Sequence, residues 1–260
     1  MISEYIIQEI DERILVLEIR RRDRKNALNQ SAYLALIAGL EYAQTNPDIS
    51  VLLIRGQKDL FTAGADIKDF LNQDPNQEPK GRLFLKKIAN FSKPIVAAVG
   101  GDAIGIGTTL LLHCDFVLAS DNSRFQLPFV NLGLCPEGGS SYLLPLIAGP
   151  KLANELLLNG KPFTAEIAKQ AGIVSSIWSE NQIMNQALVL AKEISNKPLD
   201  ALLTSKALIK KPLQVKINQV IDSEIMEFSR LLNTIPSKEI MSAFLEKRSP
   251  DRALFNIIKN

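Results

Sequence analysis

Short apolar runs rich in β-branched residues alternate, in the N-terminal half of the chain, with segments whose apolar residues recur at helical spacing. The runs ILVLEIR (14–20) and SVLLIRG (50–56) enclose the helical pattern of residues 30–46, and the runs PIVAAVGG (94–101) and DFVLAS (115–120) continue the series. Strands joined through a helix usually pair in parallel. The order therefore predicts an α/β fold with a parallel sheet.

The two ends of the chain do not follow this alternation of strands and helices. Residues 1–21 alternate apolar and charged residues, which predicts two strands rather than a targeting segment. From Thr164 onward only helical patterns are expected, and Pro198 and Pro212 are expected to separate these helices. No run approaches ~20 uninterrupted apolar residues, so we expect no membrane association.

Composition excludes several functional classes. The 260 residues carry a formal net charge of +2, which gives no overall attraction to nucleic acid. The only cysteines, Cys114 and Cys135, suggest neither a disulfide framework nor a metal cluster, so we expect no metal and a reduced cytoplasmic setting. The single histidine, His113, lies in an apolar run and is expected to be buried, which argues against a Ser–His–acid triad.

The stretch LCPEGGSS places a carboxylate, Glu137, between a proline and two glycines, with apolar sequence on both sides. A charge in such surroundings is unfavourable unless it is paired, solvated or used. Either the loop turns Glu137 out to water, or the loop directs it into a cavity.

Two further turns could present backbone N–H groups to a ligand. The segment FTAGADI (61–67) follows a strand and is also consistent with a tight turn before a helix that starts near Asp66. The segment 100–109 is rich in glycine and could bind an oxyanion or a phosphate. It matches a dinucleotide-binding turn poorly, because Leu110 stands where the third glycine would be. The basic cluster 20–25 is consistent with a solvated edge or with a phosphate contact.

Together these features resemble the crotonase, or enoyl-CoA hydratase/isomerase, superfamily over nearly the whole chain. The matching stretches are FTAGADIKDF (61–70), residues 93–134, FTAEIAKQAGIVSSIW (163–178) and MSAFLEKR (241–248). The resemblance implies a spiral of repeated β-β-α units with a helical C-terminal region. It implies a core at 1–195 and a helical trimerisation region at 196–260, with a homotrimer or a hexamer as the assembly.

The resemblance also implies an oxyanion hole formed by the peptide N–H groups of Ala65 and Ile106. Hydratases of the superfamily use two glutamates, whose positions are occupied here by Thr109 and Phe129. The loop around Glu137 instead resembles that of 3-enoyl-CoA to 2-enoyl-CoA isomerases, in which the glutamate is the acid/base residue. A single carboxylate is sufficient for isomerisation, because one proton leaves C2 and returns at C4.

The substrate implied by this resemblance is an acyl-CoA thioester, and coenzyme A is part of the substrate rather than a cofactor. The segment Ala63–Ile67, which contains Asp66, would lie against the adenine, and Arg24 or Lys25 would meet the phosphates. Phe129 and Leu132 would line the acyl pocket. Lys247 resembles a C-terminal basic residue that reaches CoA, in some members from a neighbouring subunit.

The leading hypothesis is therefore a cofactor-independent enoyl-CoA isomerase of fatty-acid oxidation with Glu137 as base and acid. A hydratase or another crotonase reaction is the nearest alternative. A non-catalytic acyl-CoA-binding protein on the same fold is an alternative of another class, and a nicotinamide dehydrogenase is a distant one.

Overall fold

The structure is a computed structural model that describes residues 4–71 and 79–256. Its strands are β1 (Ile6–Asp11), β2 (Ile14–Ile19), β3 (Val51–Arg55), β4 (Leu60–Thr62), β5 (Ile95–Val99), β6 (Asp102–Ile104), β7 (Phe116–Ser120), β8 (Arg124–Gln126), β9 (Phe163–Thr164) and β10 (Ser176–Trp178). Its α-helices are α1 (Gln30–Thr45), α2 (Ile67–Leu71), α3 (Lys80–Ala89), α4 (Ile106–Thr109), α5 (Ser140–Ala148), α6 (Pro150–Asn159), α7 (Ala165–Gln170), α8 (Ile183–Ser195), α9 (Leu199–Leu232) and α10 (Ile235–Glu246).

The strands form two sheets that the chain visits alternately. The larger sheet has the order β1-β2-β3-β5-β7-β10, and the smaller has the order β4-β6-β8-β9. Each of β3, β5 and β7 is followed by a short strand of the smaller sheet and then by helix. The pairs from β2 to β10 in the larger sheet are parallel. The expected parallel sheet and spiral of β-β-α units are therefore confirmed, and the N-terminal segment forms the expected antiparallel hairpin β1–β2.

Both faces of the central strands β2, β3, β5 and β7 are largely buried, which explains why these strands are nearly continuous apolar runs. Successive side chains of a strand point to opposite faces. Leu52 and Ile54 pack into the main core, whereas Val51 and Leu53 pack against the inner face of α8. Since α8 contributes Ala187 and other buried residues at helical spacing, it covers one face of the sheet while the main core covers the other.

Two expectations about the C-terminal half were wrong. Ser176–Trp178 is a strand, because these three residues pair in parallel with β7 at the sheet edge, and so short a run has no readable periodicity. Pro212 does not separate two helices but lies inside the 34-residue α9, whereas Pro198 is the N-cap of that helix, as expected. Pro212 cannot donate a backbone hydrogen bond, yet α9 continues through it and packs against both α3 and α5.

The expected boundary at residue 195 coincides with the last residue of α8. The separation of 1–195 from 196–260 stays a prediction. None of the helices in the described part of the chain combines the length and apolar composition needed to cross a bilayer.

Candidate active site

A cavity of about 500 Å³ lies where the ends of β4 and β6 meet the loop before α5 and helices α9 and α10. All the residues predicted for the site except Lys247 line it, namely Arg24, Lys25, Ala63, Ala65, Asp66, Ile67, Ile106, Phe129, Leu132 and Glu137. Lys247 caps the C-terminus of α10 in the left-handed conformation, and its neighbours Phe244 and Leu245 reach the cavity instead.

The segment around Ala65 is held so that its own N–H stays unbonded. Leu28 N donates to Gly64 O at 2.7 Å, and Asp66 N donates to Leu28 O at 2.9 Å. Gly64 has φ +88°, and a Cβ there would lie 2.5 Å from Ile104 O, so only glycine permits this close approach. The peptide N–H of Ala65 lies between these fixed neighbours and has no hydrogen-bond acceptor among the described residues.

The first peptide of α4 is arranged in a similar way. Gly105 N donates to Gln126 O at 2.9 Å, and Gly105 O accepts from the N–H groups of Thr108 and Thr109. The N–H of Ile106 lies between these bonded groups and has no acceptor in the described residues. Ala65 and Ile106 therefore bring two free donors to one cavity, which is the requirement for binding a developing oxyanion.

Glu137 faces this cavity from the loop between a 3-10 turn (Val130–Leu132) and α5. Gly138 and Gly139 both have positive φ, at +69° and +78°, and make the turn that directs the side chain inward. Among the described residues, no hydrogen bond to the carboxylate affects its pKa. Burial, and next the charge of Glu224, raise the pKa of Glu137 to about 8, although Arg82 opposes this increase.

A second carboxylate, Glu224 of α9, meets the same loop from the side of the protein interior. It accepts hydrogen bonds from Gly139 N at 2.6 Å, from Ser141 N at 2.9 Å and from Ser141 Oγ at 2.5 Å. Its exposure is only 7%. Burial raises the pKa of Glu224, while these three donors act in the opposite direction.

His113 is buried, as expected, and supports the loop through a different atom. Its Nε2 lies 2.7 Å from Gly138 O, and because a carbonyl only accepts, Nε2 carries the proton. Burial lowers the pKa of His113 to about 4, so the ring is neutral at neutral pH. The ring is therefore a hydrogen-bond donor to the loop and not a base in the cavity.

The two positions at which hydratases of the superfamily were expected to hold glutamates contain no carboxylate. Thr109 is buried, and its Oγ1 has no hydrogen-bond partner in the described residues. A Cβ on Gly138 would lie 3.3 Å from this hydroxyl, so Thr109 packs directly beneath the Glu137 loop. Phe129 is 4% exposed, and its ring meets that of Phe228 edge to face at 6.5 Å.

Some residues of the basic cluster 20–25 make structural contacts, whereas others are accessible at the cavity. Arg21 pairs with Asp66 at 2.8 Å, and this pair is mostly buried at the cavity wall. Asn26 is fully buried and accepts from Arg21 N, so it sets the turn that presents Arg24 and Lys25 at the cavity. No group of three potential metal ligands occurs in residues 4–71 and 79–256.

Several residues of this region were missed by the sequence reasoning. Phe228, Phe244 and Leu245 come from α9 and α10, far along the chain, and only their apolar character could have marked them. Arg21 was noted only as a member of the basic cluster. Glu224 resembles any charged residue of an amphipathic helix, so no local signal distinguishes it.

Comparison with known proteins identifies relatives of this chain. A family model described as Enoyl-CoA hydratase/isomerase matches residues 9–253. The chain is 35% identical over 252 residues to the 2,3-dehydroadipyl-CoA hydratase of Escherichia coli (strain K12), covering 96% of this chain and 98% of that protein. It is 33% identical over 229 residues to enoyl-CoA delta isomerase 2 of Rattus norvegicus, covering 85% of this chain and 58% of that protein.

A solved structure, the enoyl-CoA hydratase/isomerase from Pseudoalteromonas atlantica T6c, is similar with a TM-score of 0.91 and 37% identity. The match covers 95% of this chain and 99% of that one. The relatives thus include both hydratases and isomerases.

Proposed function

This chain belongs to the enoyl-CoA hydratase/isomerase family, and within that family we propose that it moves the double bond of a 3-enoyl-CoA to the 2,3 position. It is an enzyme of this family with an acyl-CoA substrate. The observation that carries the finer proposal is a carboxylate, Glu137, that has no hydrogen-bond or salt-bridge partner among the described residues. It lies in a cavity with two N–H groups that also lack an acceptor in those residues. Thr109 and Phe129 stand at the two positions that hold glutamates in hydratases of the superfamily.

The proposed reaction begins when the thioester oxygen accepts hydrogen bonds from the N–H groups of Ala65 and Ile106. Glu137 removes a proton from C2, and the electron pair of that C–H bond forms the dienolate whose negative charge lies on the thioester oxygen. Glu137, now protonated, returns the proton to C4, and the double bond forms between C2 and C3. Atoms and electrons balance within the substrate, so no cofactor is needed.

The raised pKa of Glu137 supports this role. A base that must take and return the same proton works best when its pKa lies near the working pH. With a pKa of about 8, Glu137 holds a proton more firmly than an ordinary carboxylate does and remains partly ionised near neutral pH. A carboxylate with several strong donors would be a weaker base, and Glu137 has none among the described residues.

Substrate binding is proposed from the cavity lining. Arg24 and Lys25 are proposed to meet the CoA phosphates, Ala63–Ile67 to lie against the adenine, and Phe129 with Leu132 to contact the acyl chain. We also propose a homotrimer or hexamer in which residues 196–260 form subunit contacts. Large exposed apolar side chains on α9 support this proposal, including Ile209 at 76% and Met226 at 71% exposure.

The test is conversion of a 3-enoyl-CoA to its 2-enoyl isomer by the wild type and by Glu137→Gln. We expect turnover by the wild type and a loss of about 10³-fold in kcat for the variant, with unchanged Kd for a saturated acyl-CoA. Glu155→Gln, an exposed change on α6, is the matched control and should be as active as the wild type. Equal activity of Glu137→Gln and the wild type contradicts the proposal.

Hydration of a 2-enoyl-CoA is the second candidate, because a relative 35% identical to this chain is named as a hydratase. Incubation of the wild type with a 2-enoyl-CoA distinguishes the two reactions. Loss of the conjugated double bond at a rate above that of isomerisation would favour hydration. Acyl-CoA binding with no turnover of either thioester would favour a non-catalytic protein.

A further inference from the structure

We propose that Glu224 and His113 are positioning residues for the Glu137 loop. Glu224 holds the loop through its peptide N–H groups, and His113 holds it through a peptide carbonyl. This inference rests on the proposed acid/base role of Glu137. Glu224 and His113 are buried and touch neither the cavity donors nor the expected substrate. The inference gives both residues a part in setting the geometry and the charge of the site.

The contacts lie within four residues of Glu137 and involve atoms of opposite polarity. His113 donates to Gly138 O, and Glu224 accepts from Gly139 N and from both the N–H and the hydroxyl of Ser141. A turn held only by its carbonyls or only by its amides could still rotate about the flanking glycines. Holding both kinds of atom removes that freedom.

His113 also connects the loop to one of the two oxyanion donors. The continuous helical stretch made of α4 and the 3-10 turn Leu110–His113 begins at Ile106 and ends at His113. The proposed donor N–H is therefore at one end of this stretch, and the support of the Glu137 loop is at the other. This stretch therefore links the support of the Glu137 loop to the Ile106 donor.

Glu224 contributes a charge in addition to the hydrogen bonds. Its three hydrogen-bond donors favour the ionised form, whereas burial, the larger cause, raises the pKa of Glu224. Arg82 of α3, Tyr33 of α1 and Cys135 of its own loop interact with Glu137 through charge. The cavities that Glu137 lines also contain Asp66, Asp69, Arg21, Arg24, Lys25 and Lys68. Arg82 lowers the pKa of Glu137, whereas the negative charge of Glu224 raises it.

The experiment compares Glu224→Gln with Glu227→Gln, which removes the same charge from the exposed side of the next turn of α9. Two quantities are measured for each protein. One is the pH dependence of kcat/KM for a 3-enoyl-CoA. The other is the titration of the Glu137 carboxyl by ¹³C NMR of protein labelled at glutamate Cδ, with the signal assigned by its absence in Glu137→Gln.

For Glu224→Gln we expect the Glu137 titration and the acid limb of kcat/KM to move to lower pH, because the neighbouring negative charge is gone. We also expect kcat to fall about 10-fold at unchanged Kd for a saturated acyl-CoA, since Gln cannot accept from both loop amides. Glu227→Gln should match the wild type. An unchanged titration in Glu224→Gln would overturn the electrostatic part of the inference.

Ser141→Ala separates the effect of the hydrogen bonds to Glu224 from the effect of its charge. The same variant tests the inference if Glu224→Gln does not fold. It removes one of the three hydrogen bonds and leaves the carboxylate of Glu224 in place. We expect a fall of about 3-fold in kcat with no movement of the Glu137 titration. A titration that moves as far as in Glu224→Gln would contradict the assignment of the shift to charge.

The role of His113 is tested by His113→Leu and His113→Gln. The amide of glutamine can place an N–H near the position of Nε2, whereas leucine fills similar space without a donor. We expect kcat to fall about 10-fold in the leucine variant and to recover to within about 3-fold of the wild type in the glutamine variant. Equal kcat values for the two variants would show that His113 only fills space.

Failure of the proposed function gives a different result from failure of this inference. If the wild type converts no 3-enoyl-CoA, the isomerase proposal fails, but the NMR titration still decides whether Glu224 controls the Glu137 carboxyl. If the wild type is active and Glu137→Gln is not, while Glu224→Gln and both His113 variants behave as the wild type, the function stands and the positioning inference is wrong.

Discussion

Glu137 lies in the loop before α5, Glu224 of α9 contacts that loop, and the surroundings of the two carboxylates differ. Glu224 is 7% exposed and accepts hydrogen bonds from Gly139 and Ser141. Glu137 is also largely enclosed, but no described residue donates to it, and it faces the cavity. Burial raises the pKa of both glutamates, but hydrogen-bond donors oppose this increase at Glu224 and, among the described residues, no such donor does so at Glu137.

Burial alone therefore does not decide the role of a carboxylate. Hydrogen-bond donors make a buried carboxylate a structural acceptor, since its charge is already stabilised. Without donors, the same group holds a proton more tightly and can exchange it with a bound substrate. Replacing each glutamate should therefore affect stability with opposite signs.

The largest expected effect on stability is that of Glu224→Ala. The loop amides and the Ser141 hydroxyl would lose their acceptor while most of the site remains buried, so we expect the free energy of unfolding to fall by about 3–5 kcal/mol. Urea denaturation at pH 7 measures this change. Glu227→Ala on the same helix, whose exposed side chain pairs with Arg230, should cost at most about 0.5 kcal/mol.

If Glu224→Ala lowers the free energy of unfolding no more than Glu227→Ala does, the distinction between Glu224 and Glu137 is lost. The hydrogen bonds to Gly139 and Ser141 would then have little net effect on stability.

The second expected effect is the pH dependence of Glu137→Gln. The folded-state pKa of Glu137 is raised from 4.5 to about 8, so its contribution to stability is fully present below pH 4.5 and is lost as pH rises through 8. Glutamine has no such loss. Between pH 5 and pH 9, the variant should therefore gain stability relative to the wild type, by up to about 4 kcal/mol.

This figure is an upper limit because water in the cavity screens the charge. Urea denaturation of both proteins across this pH range provides the measurement, and Glu155→Gln should follow the wild type throughout. A stability difference between Glu137→Gln and the wild type that is independent of pH would mean that Glu137 titrates as an ordinary exposed carboxylate.

Much of the fold could be predicted because its central strands and first helix have strong periodicity. The runs at 50–56, 94–101 and 115–120 contain β3, β5 and β7, and the pattern of residues 30–46 is α1 to within one residue. Strand β10 could not be predicted, since three residues at a sheet edge depend on pairing with β7 rather than on local sequence.

The parts of the site that could be predicted are those formed by short, contiguous segments of backbone. Turns around Ala65 and Ile106 and the Glu137 loop are contiguous motifs, and the structure brings all three to one cavity. Glu224 is 85 residues from Gly139, on a helix that also carries Asp222 and Glu227. Only the packing of α9 against α5 shows which of these carboxylates is buried, so this partner required the tertiary structure.

The smallest expected effect is that of Ser141→Ala, which tests how the stabilisation of Glu224 is shared among its donors. The hydroxyl supplies one of three hydrogen bonds, and the two backbone donors remain. We therefore expect the free energy of unfolding to fall by about 1–2 kcal/mol, well below the loss for Glu224→Ala. Ser223→Ala on α9, whose exposed hydroxyl donates only to Gln219 O, is the control and should change stability little. If Ser141→Ala equals Glu224→Ala, the hydroxyl alone makes the contact that matters, and the loop amides do not contribute.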